Sequence, residues 1–152
     1  LVKEQVIAML LDSRRYNVYW TDKWHASPYY VTAHVLIALL KEGAYLAKAC
    51  QYTIDWIVHT QHADGSWGFF QAGTAEETAY ALSVLLHCHK RGLPVDVDVL
   101  HRGAGDLSEK NEASTAYPEL WLGKDLYTPG DVVKSAVLSA LMLYEGIFDR
   151  SP

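Results

Sequence analysis

The chain has 152 residues, half of them hydrophobic and a fifth charged, with a formal net charge of −5. That length suits one domain able to bury roughly 68–70% of its unfolded surface, and an acidic balance without any basic run excludes a nucleic-acid-binding face. No apolar stretch reaches the ~20 residues that cross a bilayer and no secretory leader is evident, so a cytoplasmic location is expected.

In chain order, the sequence opens inside a helical pattern, LVKEQVIAMLL, without an initiator Met, as expected of a fragment or a processed product. The next helix is expected to begin at Ser27 as N-cap, with Pro28 at the first helical position, and to end at Gly43. A single helix is expected from about Ala44 to Thr60, because Leu46, Cys50, Thr53 and Ile57 fall at helical spacing. The tight turn DGSWGFF, Asp64 to Phe70, follows. Thr74 and Glu77 then form a capping-box pattern at the head of a helix that Gly92 stops. Asp96 and Asp98 read as a solvated helix start, and His101 to Trp121 as a long connection holding a short helix near Leu107. A last helix is expected to start at Thr128 and Pro129 and to stop at Gly146. No strand pattern of any length is seen.

Three of these helices carry a related core. TAHVLIALL begins at Thr32, TAYALSVLL 46 residues later at Thr78, and KSAVLSALM 56 residues after that at Lys134. Periods of this kind mark stacked helix pairs whose units cannot bury their apolar faces alone. The repeated helices are apolar nearly all round and need cover on two sides. The fold class is therefore all-α: an inner and an outer layer of alternating helices, as in an α/α barrel or a helical solenoid. Ten Tyr and five Trp outnumber three Phe, an excess that suits packing seams or a pocket wall.

Most isolated polar candidates have plain structural readings. Consecutive side chains in HCH, His87 to His89, point about 100° apart on a helix and cannot share a metal. Glu76 and Glu77 read as capping and helix-dipole groups. His34, on an apolar face, reads as a satisfied core histidine. Ser66 lacks a nucleophile elbow. Cys50 and Cys88 read as free buried thiols, a single disulfide being the alternative.

The turn is more specific. The spacing Gln-x-x-x-Gly-x-Trp, here Gln61, Gly65 and Trp67, resembles the QW motif of triterpene and class II diterpene cyclases, in which the Trp acts as a clasp between repeats. Three ordered blocks, WTDKWHASPYYVTAHVLIAL, DGSWGFFQAGTAEETAYALSVL and YPELWLGKDLYTPGDVVKSAVLSAL, extend the resemblance to bacterial class II diterpene cyclases of the copalyl-diphosphate-synthase type.

The resemblance implies a partial (α/α)6 barrel of antiparallel helix pairs. Residues 1–152 would be the C-terminal portion of the family's β domain. It implies substrate-lining roles for Trp24, Tyr30, Tyr117 and Tyr127, with Lys124 either facing a diphosphate or lying at the surface as an ordinary lysine. His25 would be a base or a hydrogen-bonded cap. It also implies geranylgeranyl diphosphate as substrate, a bicyclic labdane-type diphosphate as product, Mg²⁺ near the diphosphate, the rest of the β domain and a γ domain in the parent chain, and a downstream class I synthase. The family's proton donor is an Asp-x-Asp-Asp motif, expected upstream of Leu1. DVDV, Asp96 to Val99, lacks its final Asp. No catalytic or metal-binding residue is therefore assigned, the chain alone is expected to be inactive, and self-association through an uncovered apolar face is expected. The competing readings are a non-enzymatic helical-repeat binding module and a β-subunit of a protein prenyltransferase.

Overall fold

A computed structural model describes residues 2–113 and 117–149. Among these residues the chain forms seven helices: α1 (Val2–Asp12), α2 (Tyr29–Glu42), α3 (Ala44–Ala49), α4 (Gln51–His59), α5 (Ala75–Lys90), α6 (Val97–Glu112) and α7 (Gly130–Phe148). Two short strands, β1 (Trp121–Leu122) and β2 (Leu126–Tyr127), pair antiparallel with Trp121 opposite Tyr127.

The core is built round α5, which packs against α2, α4, α6 and α7. Its residues are buried on every side, from Ala79, Leu82 and Leu85 to Val84, Leu86 and Cys88. The related helices α2 and α7 are covered less completely. Val132, Leu138 and Met142 of α7 stay exposed, so the apolar residues that demand two-sided cover receive it fully only in α5.

The DGSWGFF turn ties three helices together. Gly65 takes φ +93°, and a Cβ there would run into the Arg102 carbonyl, so only glycine fits without strain. The Trp67 indole is fully buried and its N–H donates to the Ile57 carbonyl of α4 at 2.7 Å. Its backbone N–H donates to Thr78 Oγ1 of α5 at 3.0 Å. The Gln61 amide donates to the carbonyls of Gly65 (3.0 Å) and of Val99 in α6 (2.9 Å), and its oxygen accepts from Arg102. Gly103 of α6 lies against the ring, where a Cβ would stand 2.7 Å from Trp67 Cζ3. This explains a glycine in a helix interior, which otherwise costs about 1 kcal/mol.

The helix ends depart from the simple expectations wherever a side chain is drawn elsewhere. Ser27 does not cap α2: its hydroxyl donates to Glu77 at 2.5 Å and accepts the Tyr29 N–H at a long 3.3 Å, so the helix begins at Tyr29. Thr74 does cap α5, accepting the Glu77 N–H at 3.0 Å. The reciprocal arm of the box is missing. The Thr74 N–H donates to the Trp67 carbonyl, and the Glu77 carboxylate instead accepts from Ser27, Phe69 N–H and the Thr74 hydroxyl. Thr128 does not cap α7, because its hydroxyl donates to the Pro118 carbonyl at 2.6 Å and pins the segment before the hairpin.

Three segments correct the sequence reading. The span 44–60 is two helices, broken at Cys50, where Arg14 donates to the Ala49 carbonyl at 2.8 Å and diverts it from the helical ladder. Much of the supposed long connection is α6, a 16-residue helix started by Asp96, whose side chain accepts the Asp98 N–H; residues 114–116 lie outside those described. Gly146 does not stop α7, which runs to Phe148 because Tyr144 and Phe148 pack on each other at 5.0 Å and on His101 and His89 of neighbouring elements.

Candidate functional site

The site begins with a small sheet-like latch. The His25 backbone bridges Trp121, with Ala26 N–H donating to the Leu120 carbonyl and Leu122 N–H to the Trp24 carbonyl. Because side chains alternate along extended chain, Trp24 and His25 part company. Trp24 is 54% exposed and carries the Lys23 ammonium 4.7 Å above its ring. The His25 side chain turns inward.

Tyr30, in the first turn of α2, is the hub of an aromatic cluster. It stacks on His25 at 3.9 Å and meets Trp121 (5.0 Å) and Tyr80 (5.2 Å) edge-on. Edge-to-face and offset pairs are the favourable geometries for quadrupolar rings. Tyr127 adjoins Trp121 at 6.3 Å, and His34 adjoins Tyr30 at 4.3 Å. Tyr80 and His34 also line an open groove of about 430 Å³ between α2, α5 and α7, together with Ile37, Ala136 and Leu143. Ala33, Ser83, His87 and Ser139 complete the lining, so the groove is aromatic at one end and mixed aliphatic and polar along its length.

Two adjacent carboxylates of α5 stand behind the rings, each about 2% exposed. Glu77 is engaged by the three donors already described. Glu76 accepts one hydrogen bond, from the Trp121 indole N–H at 2.7 Å, and its other oxygen is buried without a partner. Burial pushes its pKa up to about 7, with the Glu77 charge adding to the shift and the indole N–H opposing it. Glu76 is therefore no solvated dipole group. Burial also raises the Tyr80 hydroxyl, with Glu76 adding to the effect. Asp22 shows the converse. Burial works to raise it, yet the Trp24 N–H and the His25 ring hold it below the ordinary range.

The positions singled out from the sequence separate accordingly. Tyr30 is central, and Tyr127 is half-exposed at the rim of the cluster. Trp24 joins through its backbone alone. Half-buried Tyr117 is held through its carbonyl, which accepts from Thr128 at 3.4 Å, and Lys124 lies exposed in the hairpin turn. Trp121, Glu76 and Tyr80 were not singled out as site residues. Tyr80 stands one helical turn after Glu76, and that i, i+4 pairing of a carboxylate with a tyrosine in an otherwise apolar helix was the available signal.

The remaining candidates resolve simply. His34 is exposed, not buried in the core, with Nδ1 2.8 Å from the Tyr30 carbonyl. Ser66 is held by Asp64 in a turn, its hydroxyl donating at 2.6 Å. His89 stacks on Phe148, and His87 lies beside Arg91. Both thiols are free and buried, and burial pushes Cys88 up to about 12. Among the described residues no three His, Cys, Asp or Glu side chains converge on a point where a metal could sit. No described helix is long and apolar enough to cross a membrane.

Known proteins match both the sequence and the fold. The chain is 42% identical over 139 residues to ent-copalyl diphosphate synthase of Streptomyces sp. (strain KO-3988), covering 91% of this chain and 27% of that one. It is 43% identical over 127 residues to type B diterpene cyclase of Mycobacterium tuberculosis, covering 83% and 24%. The solved structure of ent-copalyl diphosphate synthase from Streptomyces platensis superposes with a TM-score of 0.75 at 40% identity, over 90% of this chain and 27% of that one. No protein-family model matches. The fold is that of the α/α terpene cyclases. Within that class the chain belongs to the class II diterpene cyclase family. It spans about a quarter of the length of the relatives it matches.

Proposed function

We propose that this chain is the C-terminal part of the β domain of a class II diterpene cyclase. The whole enzyme would convert geranylgeranyl diphosphate into a bicyclic labdane-type, copalyl-like diphosphate. The observation that carries the reading is the Tyr30 cluster adjoining, through Tyr80 and His34, a groove of about 430 Å³ whose apolar lining comes from Ala33, Ile37, Ala136 and Leu143. Proton-initiated cyclisation builds carbocations that need a dry cavity lined by π-faces. A desolvated cation over a ring gains roughly 2 kcal/mol, about thirtyfold in rate. Tyr30, Tyr127, Trp24 and Tyr117 supply faces of this kind in the proposal, and Lys124 supplies a cation for the diphosphate.

These residues shape a reaction but do not start one. Protonating an alkene requires a sheltered, strongly acidic carboxyl group, and the chain contains no Asp-x-Asp-Asp motif. Glu76 holds its proton near neutrality, far too weakly acidic for that task. The donor and Mg²⁺ therefore belong, in this proposal, to the rest of the β domain and a γ domain. The product keeps its diphosphate and passes to a class I synthase in the cytoplasm, where free thiols such as Cys50 and Cys88 stay reduced.

The test is to incubate the full-length protein and the isolated chain separately with geranylgeranyl diphosphate, treat with phosphatase and analyse by mass spectrometry. A bicyclic diterpene alcohol from the full-length protein only is expected. An acyclic alcohol from both refutes the cyclase reading. The isolated chain is also expected to self-associate through α7, where Val132, Leu138 and Met142 are exposed. A stable monomer in light scattering, without hydrophobic dye binding, would contradict this.

A further inference from the structure

His25 Nε2 and Glu76 Oε2 are both buried without a hydrogen-bond partner, and both residues line one small cavity. Native proteins satisfy nearly all such atoms with protein or with water. The remaining atoms of each group fix its hydrogen-bonding state. His25 Nδ1 lies 2.9 Å from both Asp22 oxygens, so it carries the hydrogen and leaves Nε2 as an acceptor in the neutral ring. Glu76 Oε1 already accepts from the Trp121 indole. In the neutral carboxyl group Oε2 is then free to carry the hydrogen and to donate. The cavity holds about 10 Å³, close to the smallest space that accommodates one water molecule.

We propose that Glu76 and His25 form a site for a single water, the Glu76 O–H donating to the water and the water donating to His25 Nε2. Trp121 braces both sides, through its N–H to Glu76 and its ring edge 4.4 Å from His25. The groups facing the site are Glu77 and Tyr80 from α5, Tyr30 from α2, and Asp22 behind His25. Among them, Glu77 and burial keep Glu76 protonated up to about pH 7.

On the cyclase reading, this water takes the proton that the final carbocation sheds. The C–H bond beside the cationic carbon breaks and its electron pair becomes the new C=C bond. The proton passes to the water as one of the water's own protons moves to His25 Nε2. The imidazolium that results is stabilised by the Asp22 carboxylate. Glu76 does not touch substrate in this scheme. It is a positioning residue that engages one of the water's lone pairs and leaves the other for the incoming proton.

Two measurements test the proposal independently. A crystal structure of the chain at a resolution that shows ordered solvent should place one water within ~3 Å of both atoms. An empty cavity, or a direct Glu76–His25 contact, overturns the site. In the full-length protein, Glu76→Gln should turn one product into a mixture of double-bond isomers or hydroxylated diphosphates. Glu76→Asp should recover part of the original product. The wild-type product ratio should also shift as pH rises through neutrality, and the shift should vanish in Glu76→Gln. An unchanged product in Glu76→Gln, with no pH effect in wild type, overturns the proton-acceptor role. Wild-type protein that consumes no substrate overturns the cyclase reading instead, and the water site then stands or falls on the crystal structure.

Discussion

Trp67 and Trp121 use the same side chain for opposite ends. Trp67 is fully buried and gives its N–H to the Ile57 carbonyl near the end of α4, whose other donor is the Thr60 hydroxyl at a longer 3.3 Å. Its ring fills the space vacated by Gly103. Trp121 is only half-buried, gives its N–H to a carboxyl group, and turns its ring toward Tyr30, His25 and Tyr127. One indole closes a structure; the other holds a titratable group in place beside an aromatic wall. The partner of the N–H, not the tryptophan, distinguishes a clasp from a site.

The comparison can be broken most directly at the clasp. Trp67→Ala should cost about 3–5 kcal/mol, through lost burial and a cavity that α6 cannot fill, and should leave the full-length product unchanged. A denaturant titration together with product analysis checks both parts. A changed product with an unchanged midpoint would move Trp67 into the site.

Trp121→Phe sharpens the contrast with a smaller effect, a loss of about 1 kcal/mol for one hydrogen bond. Its signature is in the pH dependence. Glu76 has a raised pKa, so its proton contributes stability that is fully present below the ordinary carboxylate value and is lost as pH rises through about 7. The indole N–H favours the ionised form and so lowers the pKa. Deleting it should extend the sloping part of the stability curve above pH 7, as urea titrations across pH 4–9 would show. A curve with no slope between pH 5 and pH 7 would mean that Glu76 is solvated. Trp24→Ala should do least, within about 0.5 kcal/mol of wild type in thermal melts, since the ring is 54% exposed.

Legibility in the sequence followed what each residue was bound to locally. The head of α5 and the tails of α2 and α5 were readable because Thr74, Gly43 and Gly92 act on their own backbone. Helix α6 was readable only in pieces, a start at Asp96 and a short helix near Leu107, and not as one 16-residue element. Its buried seam, Val99, Leu100, Gly103, Ala104 and Leu107, is partly built of small residues, because an indole from another segment occupies the space. Glu76 was misread for a related reason. A carboxylate in the first turn of a helix has a sufficient local explanation, and nothing nearby in the chain announces an indole 45 residues away. The importance of Tyr30 was visible only through the family resemblance, since its neighbours outside α2 come from three separate segments.

The latch between residues 24–26 and 120–122 joins pieces of chain almost a hundred positions apart. The clasp at Trp67 needs nothing beyond α6. On a ribosome, then, the clasp can be made while the hairpin is still unsynthesised, and the rings around Tyr30 must wait half-assembled until Trp121 emerges. Long-range pairings of this kind are slow to form and leave apolar side chains bare in the meantime. The aromatic wall is thus completed only after the clasp as the chain is translated.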